Sequence, residues 1–209
     1  MKKLIFIDLD GTLTDESTWL TLNTALGITK EEDELLFIQY LQNDIAYDDW
    51  IKKLVEIHTS RGSITKTELK LMVENIPLKE GVLEMVLDLH SKGFHTVLLS
   101  GSVDFIVEQI AQKIGIRAWM ACSKLIFNEN ETLIDIISGG DEIYKKETLA
   151  EKYIQDNDFM NAEIYALGDG ANDIELFKKY KGILIGNNKH LEPITWKSIQ
   201  TLQEIKDLI

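Results

Sequence analysis

Asp8 and Asp10 stand two residues apart in the run Asp8-Leu9-Asp10-Gly11-Thr12-Leu13-Thr14, directly after the apolar stretch Leu4 to Ile7. Side chains two apart on extended backbone point the same way, so both carboxylates can converge above a strand end. Carboxylates that close repel one another, and a divalent cation or a proton on one of them relieves the repulsion. Alone, an Asp-x-Asp also reads as an acidic turn in water. A second acidic pair lies in Gly168-Asp169-Gly170-Ala171-Asn172-Asp173, after the apolar run Ile164 to Leu167. Its glycines permit a tight strand-to-helix turn, with Asp169 at the strand end and Asp173 one helical turn later. Both can face one hard cation such as magnesium, which takes oxygen ligands; the plain alternative is an acidic helix start.

Two further stretches suit an anion. Leu98-Leu99-Ser100-Gly101-Ser102 reads as a strand entering a helix, where a hydroxyl and exposed N–H groups can hold negative charge or cap the helix. It lacks the flanking glycines of a serine-hydrolase elbow. Lys145-Lys146 stands in the stretch that leads to Ile164 to Leu167. Such a pair is usually a solvated face, but an ammonium beside a nucleophile is what transfer of a dianionic phosphoryl group needs.

Elements that could position these groups are legible. Leu4 to Ile7, Thr96 to Leu99, Arg117 to Ala121, Ile164 to Leu167 and Ile183 to Ile185 look like buried parallel strands. Helical spacing fills Gly81 to Lys92, Asp104 to Ile114, Glu142 to Tyr153 and Ile174 to Tyr180. The alternation predicts an α/β fold with a mostly parallel, Rossmann-like sheet flanked by helices, its ligands at the C-terminal strand ends. Residues 15–78 break the rhythm with helical spacing throughout, predicting an all-helical cap inserted after the first strand; residues 1–14 and 79–209 make the catalytic core. Thr65 to Glu68 reads as a capping box, and Pro77 closes the insert. Ser123 to Phe127 and Leu133 to Ile137 flank a polar turn and read as a β-hairpin.

The 209 residues carry 44% hydrophobic and 27% charged side chains, the balance of a folded globule. A formal net charge of −13 argues against non-specific binding to nucleic acid or an anionic membrane, so positive potential for an anionic substrate has to be local. Cys122 is the only cysteine, which excludes an intrachain disulfide and makes a Cys/His zinc site implausible; a cytoplasmic location is expected. No apolar run is long enough to span a bilayer. His58, His90, His95 and His190 share no spacing and read as surface or packing residues, and Trp19, Trp50, Trp119 and Trp196 as core, the first two also as candidates to line a pocket. Glu31 to Glu34 reads as an acidic helix start.

Carboxylate pair, hydroxyl, lysine and carboxylate pair thus follow consecutive predicted strand ends. In this the chain resembles the haloacid dehalogenase superfamily of aspartyl phosphatases, within it most closely the phosphoserine phosphatase branch. The resemblance implies a phosphomonoesterase acting on a small phosphorylated metabolite, with Asp8 as nucleophile and Asp10 as general acid and base. It implies Mg2+ held by Asp8, the Asp10 carbonyl and Asp169, with Asp173 behind them. Ser100, the Gly101 N–H and Lys145 would hold the phosphoryl oxygens, with Leu9 and Asn172 as further phosphate contacts; Lys145 is chosen because Lys145-Lys146-Glu147 follows the family's lysine, variable residue, glutamate order. The branch also places a glutamate and an arginine in its cap for the substrate's amino and carboxylate groups. Glu16 stands near the first place, one residue ahead of the direct count at Ser17, and Leu54 occupies the arginine's place with Lys52, Lys53 and Arg61 nearby. A receiver-type phosphoacceptor module and a phosphotransferase to an alcohol remain as alternatives.

Overall fold

The computed structural model describes every residue except Asn43, Ser63, Gly140 and Asp141, and all side chains of the others except those of Glu142, Ile143 and Tyr144. Seven strands form one sheet in the order β4-β3-β2-β1-β5-β6-β7. They are β1 (Lys3–Ile7), β2 (Phe94–Val103), β3 (Ala118–Phe127), β4 (Leu133–Ser138), β5 (Glu163–Gly168), β6 (Lys181–Ile185) and β7 (Lys197–Ile199). All neighbours pair in parallel except β3 and β4, which form the antiparallel hairpin.

The uninterrupted hydrophobicity of β1 has a plain cause: both faces of the strand are covered. Ile5 and Ile7 join one apolar cluster and Leu4 and Phe6 the other, all at most 1% exposed. Each such side chain contributes roughly 1.5–3 kcal/mol by leaving water. The first cluster is supplied by α5 (Val82–Ser91), α6 (Asp104–Ile114) and the helical insert; the second by α7 (Glu142–Asp156) and α8 (Ile174–Lys179). A short C-terminal helix, Ile205–Leu208, adds Ile205 to the first.

Residues between β1 and α5 form α1 (Thr18–Ala25), α2 (Lys30–Leu41), α3 (Tyr47–Arg61) and α4 (Lys66–Glu74). Thr65 and Glu68 make the expected capping box, and Thr29 and Glu32 make a second. The acidic start of α2 holds Glu31, Glu32 and Asp33 in its first turn, but Leu35 and Ile38 face solvent while Leu36 and Tyr40 pack inward. The insert is fastened to the hairpin: Lys66 N–H donates to Glu131 O at 2.8 Å and Leu133 N–H to Ile64 O at 2.9 Å. Its apolar residues belong to the cluster on one face of the sheet. Strand β7 carries only Ile199 as a buried residue, too little apolar signal to be read from sequence. Trp196, expected in the core, is 38% exposed, its ring against Tyr165 and the Lys181 ammonium.

Candidate active site

Parallel pairing of β1 with β5 sets Ile7 beside Leu167, so the chain leaves both strands side by side and the two acidic runs enter one space. The Asp8 N–H donates to Leu167 O at 2.9 Å, carrying the ladder one residue further. Thr12 then joins the runs: its hydroxyl lies 2.9 Å from Asp169 Oδ1 and 3.4 Å from Asp8 Oδ2. Asp8, Asp169 and Asp173 each offer a carboxylate oxygen within 4.8 Å of the others.

Two glycines make this convergence possible. Gly11 has φ +78°, and a Cβ there would meet Asp169 Oδ2 at 2.2 Å; at Gly168 a Cβ would meet Asp173 Oδ2 at 2.2 Å. Gly11→Ala should therefore displace the Asp169 carboxylate and lower kcat/KM by about 100-fold, the scale of a catalytic group misplaced by an ångström. Gly93 has the same φ of +78° with nothing within 4 Å, so Gly93→Ala carries the backbone strain alone and should keep its activity. Equal losses in the two variants would show that the Gly11 effect is strain and not the clash.

The lysine that reaches this cluster is Lys146, a correction to the expectation for Lys145. Its Nζ lies 2.6 Å from Asp8 Oδ1 and 2.7 Å from Asp173 Oδ1, and its side chain is 0% exposed. Helix geometry supplies the reason. Lys146, Ala150 and Ile154 fall four residues apart on the buried face of α7, whereas Lys145 is half-buried with its Cε beside Gly139. That four-residue spacing is present in the sequence. Burial works against the Lys146 charge, but the carboxylates of Asp173 and Asp8 more than offset it and hold the ammonium well above the ordinary lysine range. Burial likewise pushes Asp8 upward, with Lys146 pulling the other way and Asp173 and Asp169 adding repulsion. Asp173 is engaged on its other oxygen too, accepting from the N–H groups of Asp169 and Gly170 at 3.2 Å. It therefore shapes the turn and orients Lys146.

Asp10 is held differently. Thr18 donates to it twice, from N–H to Oδ1 at 2.7 Å and from the hydroxyl to Oδ2 at 3.0 Å, and the Thr18 and Ser102 hydroxyls lie 2.6 Å apart. Burial raises the Asp10 carboxyl to about 6, with the Thr18 bonds opposing. A carboxyl there can carry or release a proton near neutrality, unlike a solvated one. Ser100 is fully buried, its Oγ accepting from the Ser102 N–H at 3.0 Å. Gly101 is buried in β2, and its carbonyl accepts from Trp19 Nε1 at 3.4 Å. Leu9 is buried, its carbonyl accepting from the N–H groups of Thr12, Leu13 and Thr14. Asn172 is half-buried, folded over Gly170.

Glu16 lies apart from the carboxylate cluster. Ser17 caps α1 in extended conformation, which leaves Glu16 exposed on the rim of a separate cavity with Leu20, Thr24, Lys30 and Met72. Thr18, not singled out from sequence, makes the contact with Asp10; its place in the first turn of α1, within reach of the loop after β1, was the available signal. A cavity of about 750 Å³ opens beside Asp169 and Gly11, lined also by Lys79, Asn187 and Gln200. The histidines stay outside: His58 is buried within the insert and hairpin region, while His90 and His95 bond Thr96 and Tyr153.

The sequence profile of the haloacid dehalogenase-like hydrolases matches residues 5–178. The chain belongs to that family. A phosphoserine phosphatase of Methanocaldococcus jannaschii is 25% identical over 178 residues, which is 85% of this chain and 82% of that one. A 2-hydroxy-3-keto-5-methylthiopentenyl-1-phosphate phosphatase of Lysinibacillus sphaericus is 24% identical over 190 residues, 86% of this chain and 79% of that one. Among solved structures, the phospho-aspartyl intermediate analogue of a phosphoserine phosphatase superposes with a TM-score of 0.79 at 26% identity, covering 100% of this chain and 99% of that one. The chain is a phosphoric monoester hydrolase of the phosphoserine phosphatase-like kind. Among the described residues, no helix is long and apolar enough to cross a membrane.

Proposed function

We propose that the chain hydrolyses a small phosphomonoester through an aspartyl-phosphate on Asp8, assisted by Mg2+. The observation that carries this reading is the Asp8 carboxylate held by Lys146 on one side and facing Asp169 on the other. Three carboxylates against one ammonium leave an excess of two negative charges, the charge of one divalent ion, and the donors are all oxygen. Asp8, the Asp10 carbonyl and Asp169 would hold the ion, with Asp173 behind them. When bound, it supplies positive charge that keeps Asp8 ionised and offsets charge on the phosphoryl oxygens.

The remaining steps belong to side chains. An Asp8 oxygen forms a bond to phosphorus as the ester P–O bond breaks, and Asp10 gives its proton to the departing alcohol oxygen. Asp10 then takes a proton from water, whose oxygen attacks phosphorus and releases Asp8. Lys146, the Ser100 hydroxyl and the Gly101 N–H steady the transferring oxygens, with Leu9 and Asn172 as further contacts. Residues 15–78 act as a cap over a core made of 1–14 and 79–209. Membership of this family sets the receiver-type alternative aside. Phosphoserine is one candidate substrate, supported by the M. jannaschii and structural relatives.

Chelation tests the ion. EDTA should abolish hydrolysis of an aryl phosphate, excess Mg2+ should restore it, and Mg2+ should raise the melting temperature of wild type but not of Asp169→Asn. Hydrolysis that survives chelation would exclude the metal-assisted reading. Free phosphate counted against released alcohol separates water from an alcohol as acceptor, since transfer to an alcohol leaves phosphate short.

A further inference from the structure

Resting on the phosphatase reading, we infer that Lys79 is a positioning residue, whose ammonium holds the loop after β1 in the shape that its divalent-ion ligands need. Lys79 stands where the chain returns from the helical insert, just ahead of α5. From there it reaches the point where the chain leaves for the insert. Its Nζ donates to Gly11 O, its N–H donates to Leu13 O at 2.8 Å, and the ammonium lies 3.8 Å from Asp15 Oδ1. One residue thus clasps both crossings between core and insert.

The loop it grips is the one that carries the site. The Asp10 carbonyl and the Gly11 N–H share one peptide unit, and a Cβ on Gly11 would meet Asp169 Oδ2 at 2.2 Å, so the Gly11 backbone packs closely against that carboxylate. The next residue, Thr12, bonds the same carboxylate at 2.9 Å. The N–H groups of Thr12, Leu13 and Thr14 all turn back to Leu9 O, whereas the Gly11 carbonyl is held by the Lys79 ammonium. A twist of the Gly11 backbone would therefore move the Asp10 carbonyl and Asp169 relative to one another. Lys79 also lines the cavity beside Asp169, with Asp15 and Glu80. Burial pushes the Asp169 carboxyl upward, and Lys79 is among the groups opposing it, with Thr12 and Lys146. On a bound cation the two influences of Lys79 have opposite signs. Its charge repels the ion, whereas the loop it fixes presents the ligands, as groups behind a metal's ligands commonly do. The ammonium is 24% exposed and close to Asp15, so water and that carboxylate weaken the repulsion, and the hold on the loop should dominate.

Lys79→Met makes the test, because it keeps the packed stem and removes the donor. The Mg2+ concentration that half-saturates hydrolysis of an aryl phosphate should rise about 10-fold, the scale on which groups behind metal ligands are felt. The Mg2+ midpoint read from melting temperature, with no ester present, should move by the same factor. At saturating Mg2+, kcat should fall about 10-fold while KM for the ester stays within about threefold. Lys79→Cys alkylated with bromoethylamine regains an ammonium at nearly lysine length and should recover most of both losses, whereas alkylation with iodoacetamide should not; wild type treated alongside accounts for the buried Cys122. Tighter Mg2+ binding by Lys79→Met would show that Lys79 acts through charge alone and overturns the inference. A higher KM with kcat and the Mg2+ midpoint unchanged would make Lys79 a substrate contact and overturns it too, as does a variant identical to wild type. Should Lys79→Met not fold, equal Mg2+ midpoints in the two alkylated forms overturn it. Hydrolysis by wild type that ignores Mg2+ and survives Asp8→Asn sinks the phosphatase reading and this inference with it.

Discussion

Asp8→Asn should fold and yet lose turnover by at least about 10⁴-fold, the scale on which removal of a nucleophile is felt. The amide matches the carboxylate in shape and still accepts from Lys146 on its oxygen, so the 2.6 Å contact need not be vacated. What it lacks is the anionic oxygen that attacks phosphorus. Stability should change little, because the substitution removes one of three mutually repelling carboxylates while Asp173 continues to pair with Lys146 at 2.7 Å. Burial already pushes the Asp8 carboxyl upward, so its charge is not what holds the fold together. Melting temperature and kcat measured side by side should separate the two effects. A large drop in both would mean that Asp8 serves structure first, and retained turnover would remove it as nucleophile.

Lys146→Met and Lys145→Met should differ sharply. Lys146 is enclosed, and its ammonium joins Asp8 to Asp173 across the space between the loop after β1 and the turn after β5. Its loss leaves two buried carboxylates facing one another, expected to cost about 3 kcal/mol of stability as an orphaned buried pair. It also removes positive charge beside the transferring group, worth roughly 10²–10³ in kcat. Lys145, half-buried beside Gly139, should tolerate the same change within about 0.5 kcal/mol and close to wild-type turnover. Denaturant melts and steady-state rates on the pair decide the matter. A Lys145 effect as large as that of Lys146 would return the phosphoryl-site lysine to the place the motif order suggested.

Much of this arrangement was legible because buried parallel strands announce themselves. Leu4 to Ile7 and Ile164 to Leu167 are apolar on both faces, and polar residues that break such a run abruptly mark the strand ends where loops gather. That is why Asp8 and Asp169 could be paired across 161 positions of sequence. Lys145 was preferred to Lys146 because a motif fixes order to within a residue while a helix face changes direction with every residue. Position along the chain could place a lysine near the phosphate; only the burial of Lys146 with Ala150 and Ile154 shows which one points in. The start of α1 shows a related limit. One residue of offset before a helix cap separates a side chain facing the site from one facing water, and Thr18 took the inward place. Trp196 and β7 were misjudged or missed for want of context, since a three-residue edge strand has no periodicity to read.

The most direct test of the central claim is to find the phosphoryl group itself. Enzyme quenched in acid during turnover and reduced with borohydride should yield a single modified position, with homoserine where Asp8 stands, and no such product from Asp8→Asn. Reduction at Asp10 or Asp169 instead, or turnover with no trapped acyl phosphate at any quench time, would contradict Asp8 as the covalent carrier.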